Sequence, residues 1–163
     1  FSFGTRSMSI WDDQGTLIFD TGSQIEETLA RIYPNDFNSD NAENDSFDAR
    51  SDEKGPEPEA VSVATIGGRI LAFLALERIG GVMIYDVSQP DTAVYVGYVN
   101  GRNFDVPFDE NNRDAEDLEA VRESGPEKIT LIAPENHPLG KWIMVVSQES
   151  TGSISFYTLE SPM

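Results

Sequence analysis

"AVSVATIGGRILAFLALERIGGVMIYDVSQPDTAVYVGYV", residues 60–99, decides how the chain is read. Its apolar residues fall into four short runs: "AVSVATI", "RILAFLALE", "GVMIYDV" and "AVYVGYV". Gly67-Gly68, Gly80-Gly81 and "SQPDT" separate them. Glycine pairs supply the positive φ that tight hairpin turns require. The pattern predicts a four-stranded antiparallel meander over residues 60–99.

The same signals extend to both sides. "SMSIWDDQGTLIFDTG" (7–22) reads as a hairpin around an Asp-Asp-Gln-Gly turn. A short helix over 23–33 follows, opened by a Ser23/Glu26 capping box and closed by Pro34. Its Ile25, Leu29 and Ile32 fall on one face. Downstream, "GPEKITLIAPENHPLGKWIMVVSQESTGSISFYTLE" repeats the meander over 125–159 with three strands. Glu77 and Glu149 are 72 apart, as are Tyr85 and Tyr157, while Val61 and Ile129 are 68 apart. A longer first turn, "APENHPLGK" for "TIGG", accounts for the drift, and both copies begin with Gly-Pro-Glu.

A repeat built as a four-stranded meander is the signature of a β-propeller blade. The expectation is an all-β fold: a partial propeller of about two and a half blades, with one or two short helices in insertions. A propeller closes with four or more blades. The chain is therefore expected to be the C-terminal portion of a larger propeller, or one piece of a nicked one. The start at Phe1, inside a strand-like pattern, is read the same way. A self-contained β-sandwich is the alternative.

Charge is local. Of a net −18, residues 36–59 carry −7 and residues 105–123 carry −6. Such a surface repels nucleic acid and anionic membrane and attracts cations or basic partners. Cysteine is absent, which excludes disulfides and thiolate metal sites and leaves the compartment open. No apolar run is long enough to be read as a transmembrane helix.

The first acidic stretch, "NDFNSDNAENDSFDARSDEKGPEPE" (35–59), is either a solvated linker or a calcium loop. Calcium takes six to eight hard oxygen ligands from a flexible loop. Asp36, Asn38 and Asp40 have the i, i+2, i+4 spacing of such loops, and Asn44, Asp45 and Asp48 can complete a sphere. Counted from Asp36, an EF-hand would need Glu where Phe47 stands, so this is not an EF-hand. Phe37 and Phe47 suggest a loop packed onto the sheet. "NDS" at 44–46 is an N-glycosylation sequon, and a glycan there would compete with metal.

Glu59 and Glu127 precede the innermost strand of each repeat and point either into a shared polar funnel or into solvent. In the second acidic stretch (100–124), Asp105, Asp109, Glu110 and Asp114 are further cation candidates. That stretch is more simply an exposed insertion ending in a short helix with Leu118 and Val121 inward. His137 is the one histidine and reads as a loop residue. No nucleophile elbow, His-Glu-x-x-His or phosphate loop is present. Glu77-Arg78 could hold a phosphate, but an Arg paired with a neighbouring acid is the simpler reading.

"SMSIWDDQGTLIFDTGSQIE", the 35–59 stretch and "ERIGGVMIYDVSQP" together resemble the choice-of-anchor I family. That family takes in alkaline-phosphatase-like secreted proteins and mesenchyme-specific cell surface glycoproteins of biomineralisation. The resemblance implies a secreted or surface-anchored β-propeller that handles calcium. Ala60 departs from it, standing where the pattern has glycine. The expected function is a secreted or cell-surface calcium-binding β-propeller with an adhesive, matrix or assembly role. The alternative is part of a calcium-dependent phosphoesterase. Expected partners are the rest of a parent propeller or other copies of the chain; basic proteins or a mineral surface also fit the charge.

Overall fold

The computed structural model describes residues 6–111 and 114–160. Its elements run β1 (Ser9–Trp11), β2 (Leu17–Asp20), α1 (Gln24–Ile32), β3 (Pro58–Ile66), β4 (Arg69–Leu76), β5 (Val82–Asp86) and β6 (Val94–Val99). Then come α2 (Ala115–Val121), β7 (Pro126–Ile132), β8 (Trp142–Gln148) and β9 (Ser153–Leu159). They form three antiparallel sheets in simple meander order: β1-β2, β3-β4-β5-β6 and β7-β8-β9. The expected all-β class, the 7–22 hairpin, the four-stranded unit and the three-stranded unit are all present. Phe1 lies outside the described residues.

The register follows from alternation. Leu71, Phe73 and Ala75 of β4 face one way, and Ala72, Leu74 and Leu76 face the other. The first set packs with Val82, Ile129, Met144 and Val146, so the second and third sheets lie face to face. The second set packs with Ile25 and Leu29 of α1, and with Met83 and Tyr85. Being covered on both sides, β4 reads as an unbroken apolar run rather than an alternating one. Each fully buried large apolar side chain here contributes roughly 1.5–3 kcal/mol.

The glycine pairs do what their spacing predicts. Gly67 and Gly68 have φ of 58° and 81°, and Gly80 and Gly81 have φ of 91° and 79°. At Gly81 a Cβ would also lie 2.5 Å from the Val99 carbonyl oxygen.

The repeat is exact in pairing. Ala72 faces Tyr85 across β4–β5, and Met144 faces Tyr157 across β8–β9, each partner shifted by 72. The longer turn before β8 holds a short 3-10 turn at Pro134–Asn136.

Several local readings need correction. Ser23 is the N-cap of α1, but its side chain makes no capping bond; its hydroxyl donates to Glu27 at 2.6 Å. Glu26 is drawn away by Arg6 and Asn38, each at 2.7 Å. Ile25 and Leu29 are fully buried, whereas Ile32, at the helix end, is 46% exposed. Phe37 packs against the core, but Phe47 is 57% exposed.

Helix α2 forms as expected, with Val121 buried. Asp114 caps it, accepting from the Glu116 and Asp117 amides at 2.9 and 3.1 Å, and Asp117 accepts in return from the Asp114 amide. Asp114→Ala is expected to cost about 1 kcal/mol. The loss should show as faster amide exchange confined to 115–121.

Candidate functional site

Two equivalent β-bulges build the site. In β3, Pro58 pairs with Leu76 and Ala60 with Ala75, so Glu59 is the extra residue. In β7, Pro126 pairs with Gln148 and Lys128 with Ser147, so Glu127 is the extra residue. A bulge re-aims its side chain out of the normal alternation. Proline at the first position of each strand gives up no ladder donor. Ala60 in place of glycine leaves the bulge intact.

Glu77 follows β4 directly, and its amide donates to the Glu57 carbonyl at 3.0 Å. Glu149 follows β8, and its amide donates to the Gly125 carbonyl at 2.6 Å. These contacts bring Glu59, Glu77 and Glu127 together, one carboxylate oxygen of each lying within 4.8 Å of the others. Glu59 and Glu127 are exposed and Glu77 is buried. Glu149 bonds to Glu127, and that bond, with burial, holds its carboxyl above the usual range.

Arg78 braces the buried side. Its guanidinium donates to Glu57 at 2.6 Å and to Asn41 at 2.6 Å, and meets Glu77 at 3.1 Å. The Asn41 amide donates to Glu77 at 3.2 Å. Lys54 meets Glu57 at 2.8 Å. Burial, then the neighbouring Glu57, pushes the Glu77 carboxyl well above the carboxylate range. Burial works against Glu57 too, but its bonds to Glu77, Lys54 and Arg78 hold it below that range.

The sequence pointed to Glu59 and Glu127, and the structure joins them. It also adds Glu77, which the sequence offered only with Arg78 as a phosphate holder and not as a metal ligand. The signal was there: Glu77 and Glu149 share the repeat spacing, and only their nearness to the bulges was unseen.

The six Asp and Asn candidates of the first acidic stretch do not gather as one set: Asn38, Asp40 and Asp48 are bound elsewhere, while Asp36, Asn44 and Asp45 line a common cavity. Asn38 is fully buried and donates to Glu26 and to Ser51. Asp40 pairs with Arg50 at 3.3 Å and Arg78 at 3.8 Å. Asn44 donates to the Asn103 and Val106 carbonyls and accepts from Arg102. That use of the Asn44 amide leaves no room for a glycan in the folded chain. Asp48 accepts from Ser51.

Asp36, Asn44 and Asp45 line a cavity of about 540 Å³ with Asp105, Asp109 and Asp117, so the two acidic stretches meet. Glu43 and Asp109 form a β-bridge there. Burial, with Asp105 adding to it, holds the Asp36 carboxyl above its ordinary value against the pull of Arg102. His137 is a turn residue whose ring accepts from the Leu139 amide at 3.3 Å.

Fold and site define an acidic antiparallel β protein with glutamates gathered at the entrances of two repeated sheets. It belongs to the choice-of-anchor I domain family, whose model matches residues 1–90. Gigasin-3a of Magallana gigas is 31% identical to it over 172 aligned positions, covering 96% of this chain and 56% of that protein. The mesenchyme-specific cell surface glycoprotein of Strongylocentrotus purpuratus is 27% identical over 122, covering 66% of this chain and 16% of its own length. The chain thus spans about half of one relative and a small part of the other. No solved structure matches. No helix among the described residues is long and apolar enough to cross a membrane.

Proposed function

We propose that the chain is part of a secreted or cell-surface β-propeller that binds calcium and serves an adhesive, matrix or assembly role. Family membership supports the location, together with a relative described as a cell surface glycoprotein. The packing of equivalent sheets face to face supports the propeller.

One observation carries the calcium reading: matching bulges aim Glu59 and Glu127 at one point beside Glu77. The donor set fits the ion. Calcium prefers carboxylate oxygens at 2.3–2.6 Å, so ligands around one ion lie up to roughly 5 Å apart. The 4.8 Å limit on the three glutamate oxygens falls inside that span. Glutamates 59, 77 and 127 would hold the ion, which would supply charge neutralisation between the two sheets.

The phosphoesterase alternative has less support. Arg78, its candidate phosphate anchor, is already paired with Glu57 and Glu77.

Calorimetry with calcium is the test. Glu59→Gln and Glu127→Gln are exposed changes and together are expected to lower calcium affinity about tenfold or more, because ligand charge sets affinity. No binding at millimolar calcium would end the calcium reading. Binding that survives both changes but is lost with Asp36→Asn and Asp45→Asn would move the ion to the acidic cavity.

A further inference from the structure

The β1–β2 hairpin covers only part of the face on which it lies. Met8 joins the core beneath it, and β2 lies against the short 3-10 turn Pro90–Thr92. Beyond β1 the face is open. Met8, Ile10 and Trp11 line one side of a groove of about 350 Å³, and Val61, Val63, Ala72 and Val87 line the other. Val61, Val63 and Trp11 are each 57% exposed. The opposite face of the same sheet is closed, because β7 lies directly against β3 and β4.

β1 has β2 on one edge and no strand on the other among the described residues. An apolar groove beside a free strand edge calls for an added strand: the edge supplies ladder bonds, and the groove takes alternate side chains. β2 lies against the turn between β5 and β6, and β1 faces β3 and β4 across the open groove.

We propose that this groove receives a β-hairpin of the same kind as β3–β4. It would pair with β1 and lay alternating apolar residues on Val61, Val63 and Ala72. The occupant comes in cis, from further residues of one polypeptide. Two observations choose that source. The relatives run well beyond the length this chain covers. A net charge of −18 sets two copies against each other. The inference rests on the propeller reading above.

The chain has no cysteine, so a single introduced thiol is a clean probe. The test uses the full-length polypeptide that carries these residues, with Val63→Cys in the groove. Val94→Cys, on β6 and 59% exposed, is the open reference. A third probe is Phe156→Cys, 70% exposed on the outer face of the third sheet.

The groove thiol of Val63→Cys is expected to react with maleimide about 100-fold more slowly than the reference thiol of Val94→Cys in the native monomer, because reaction must await local opening. Protection seen only in a self-associated fraction would replace the cis hairpin by a second copy and overturn the proposal. A groove thiol as reactive as the reference would overturn it as well. If the Phe156→Cys thiol is protected in that last case, sheet stacking stands and only the hairpin is lost; if both react freely, the propeller reading falls with it. Urea unfolding of each variant establishes that the fold is intact, and Val63→Thr paired with proteolysis near β1 repeats the reading if the thiol variant does not fold.

Discussion

Arg102→Ala is expected to destabilise the protein by about 3–5 kcal/mol, the range for breaking a buried charged network. Arg102 is 5% exposed and serves three distant segments at once. Its guanidinium donates to the Asn44 side chain at 3.0 Å, the Arg78 carbonyl at 3.1 Å and the Glu43 carbonyl at 2.8 Å. It also lies 4.7 Å from the centre of the Phe104 ring. Burial lowers its pKa to about 10, so it is still charged at neutral pH. Truncation takes their donor from the Asn44 side-chain oxygen and the Arg78 carbonyl, each costing about 1–3 kcal/mol, while the Glu43 carbonyl keeps the Ser46 hydroxyl. Arg102→Lys should recover little, since an ammonium cannot reproduce the planar fork. Urea denaturation at neutral pH measures the loss, and limited proteolysis should show residues 35–57 opening first. A loss below about 1 kcal/mol would mean that the acidic stretch is held by something other than this side chain.

Glu77→Gln is expected to change the pH dependence of stability as much as its size. In the folded chain, burial and Glu57 keep a proton on Glu77 well above its ordinary value of 4.5. Between that value and the alkaline side of neutrality the folded state binds more protons than the unfolded one. The stability from this group is complete below pH 4.5 and is lost as pH rises through neutral. Glu57 acts oppositely: its lowered value contributes stability above the ordinary carboxylate range that disappears as pH falls through the acid range. Glutamine keeps an acceptor for Asn41 and Arg78 but carries no charge. The variant should match the parent protein near pH 4.5 and exceed it by about 1–3 kcal/mol at pH 8, as replacing a poorly compensated buried charge does. Denaturation curves at several pH values decide this. Parallel curves would show that Glu77 ionises without cost. If calcium occupies the site, adding it at pH 8 should stabilise the parent more than the variant, because only the native state binds it.

The sheets were legible because their signals are local. Gly67-Gly68 and Gly80-Gly81 state the turns, and Glu77/Glu149 and Tyr85/Tyr157 state the repeat. The site was legible in part. Glu59 and Glu127 could be placed by their position in the repeat, but nothing in either segment shows that both strands bulge there. The acidic stretch was hardest to read, because its oxygens answer to partners far along the chain. Asn44 meets Arg102, Asn41 meets Glu77 and Arg78, and Asn38 meets Glu26. Spacing alone gives such residues the look of ion ligands, whereas tertiary packing recruits several of them as hydrogen-bond struts. The same competition undid the Ser23/Glu26 capping box, since Arg6 and Asn38 offer Glu26 a fuller set of donors.

β4 has a further consequence for how the chain can change over generations. Leu71, Phe73 and Ala75 answer to one layer, and Ala72, Leu74 and Leu76 to another. A volume change at any of these positions needs a compensating change in a different neighbour, and two adjacent changes need compensation in two separate layers. Most substitutions that an edge strand tolerates are therefore closed to β4. Its eight residues act as a hinge of inheritance: the layers on either side are free to diverge from each other, but only around a strand that both must keep.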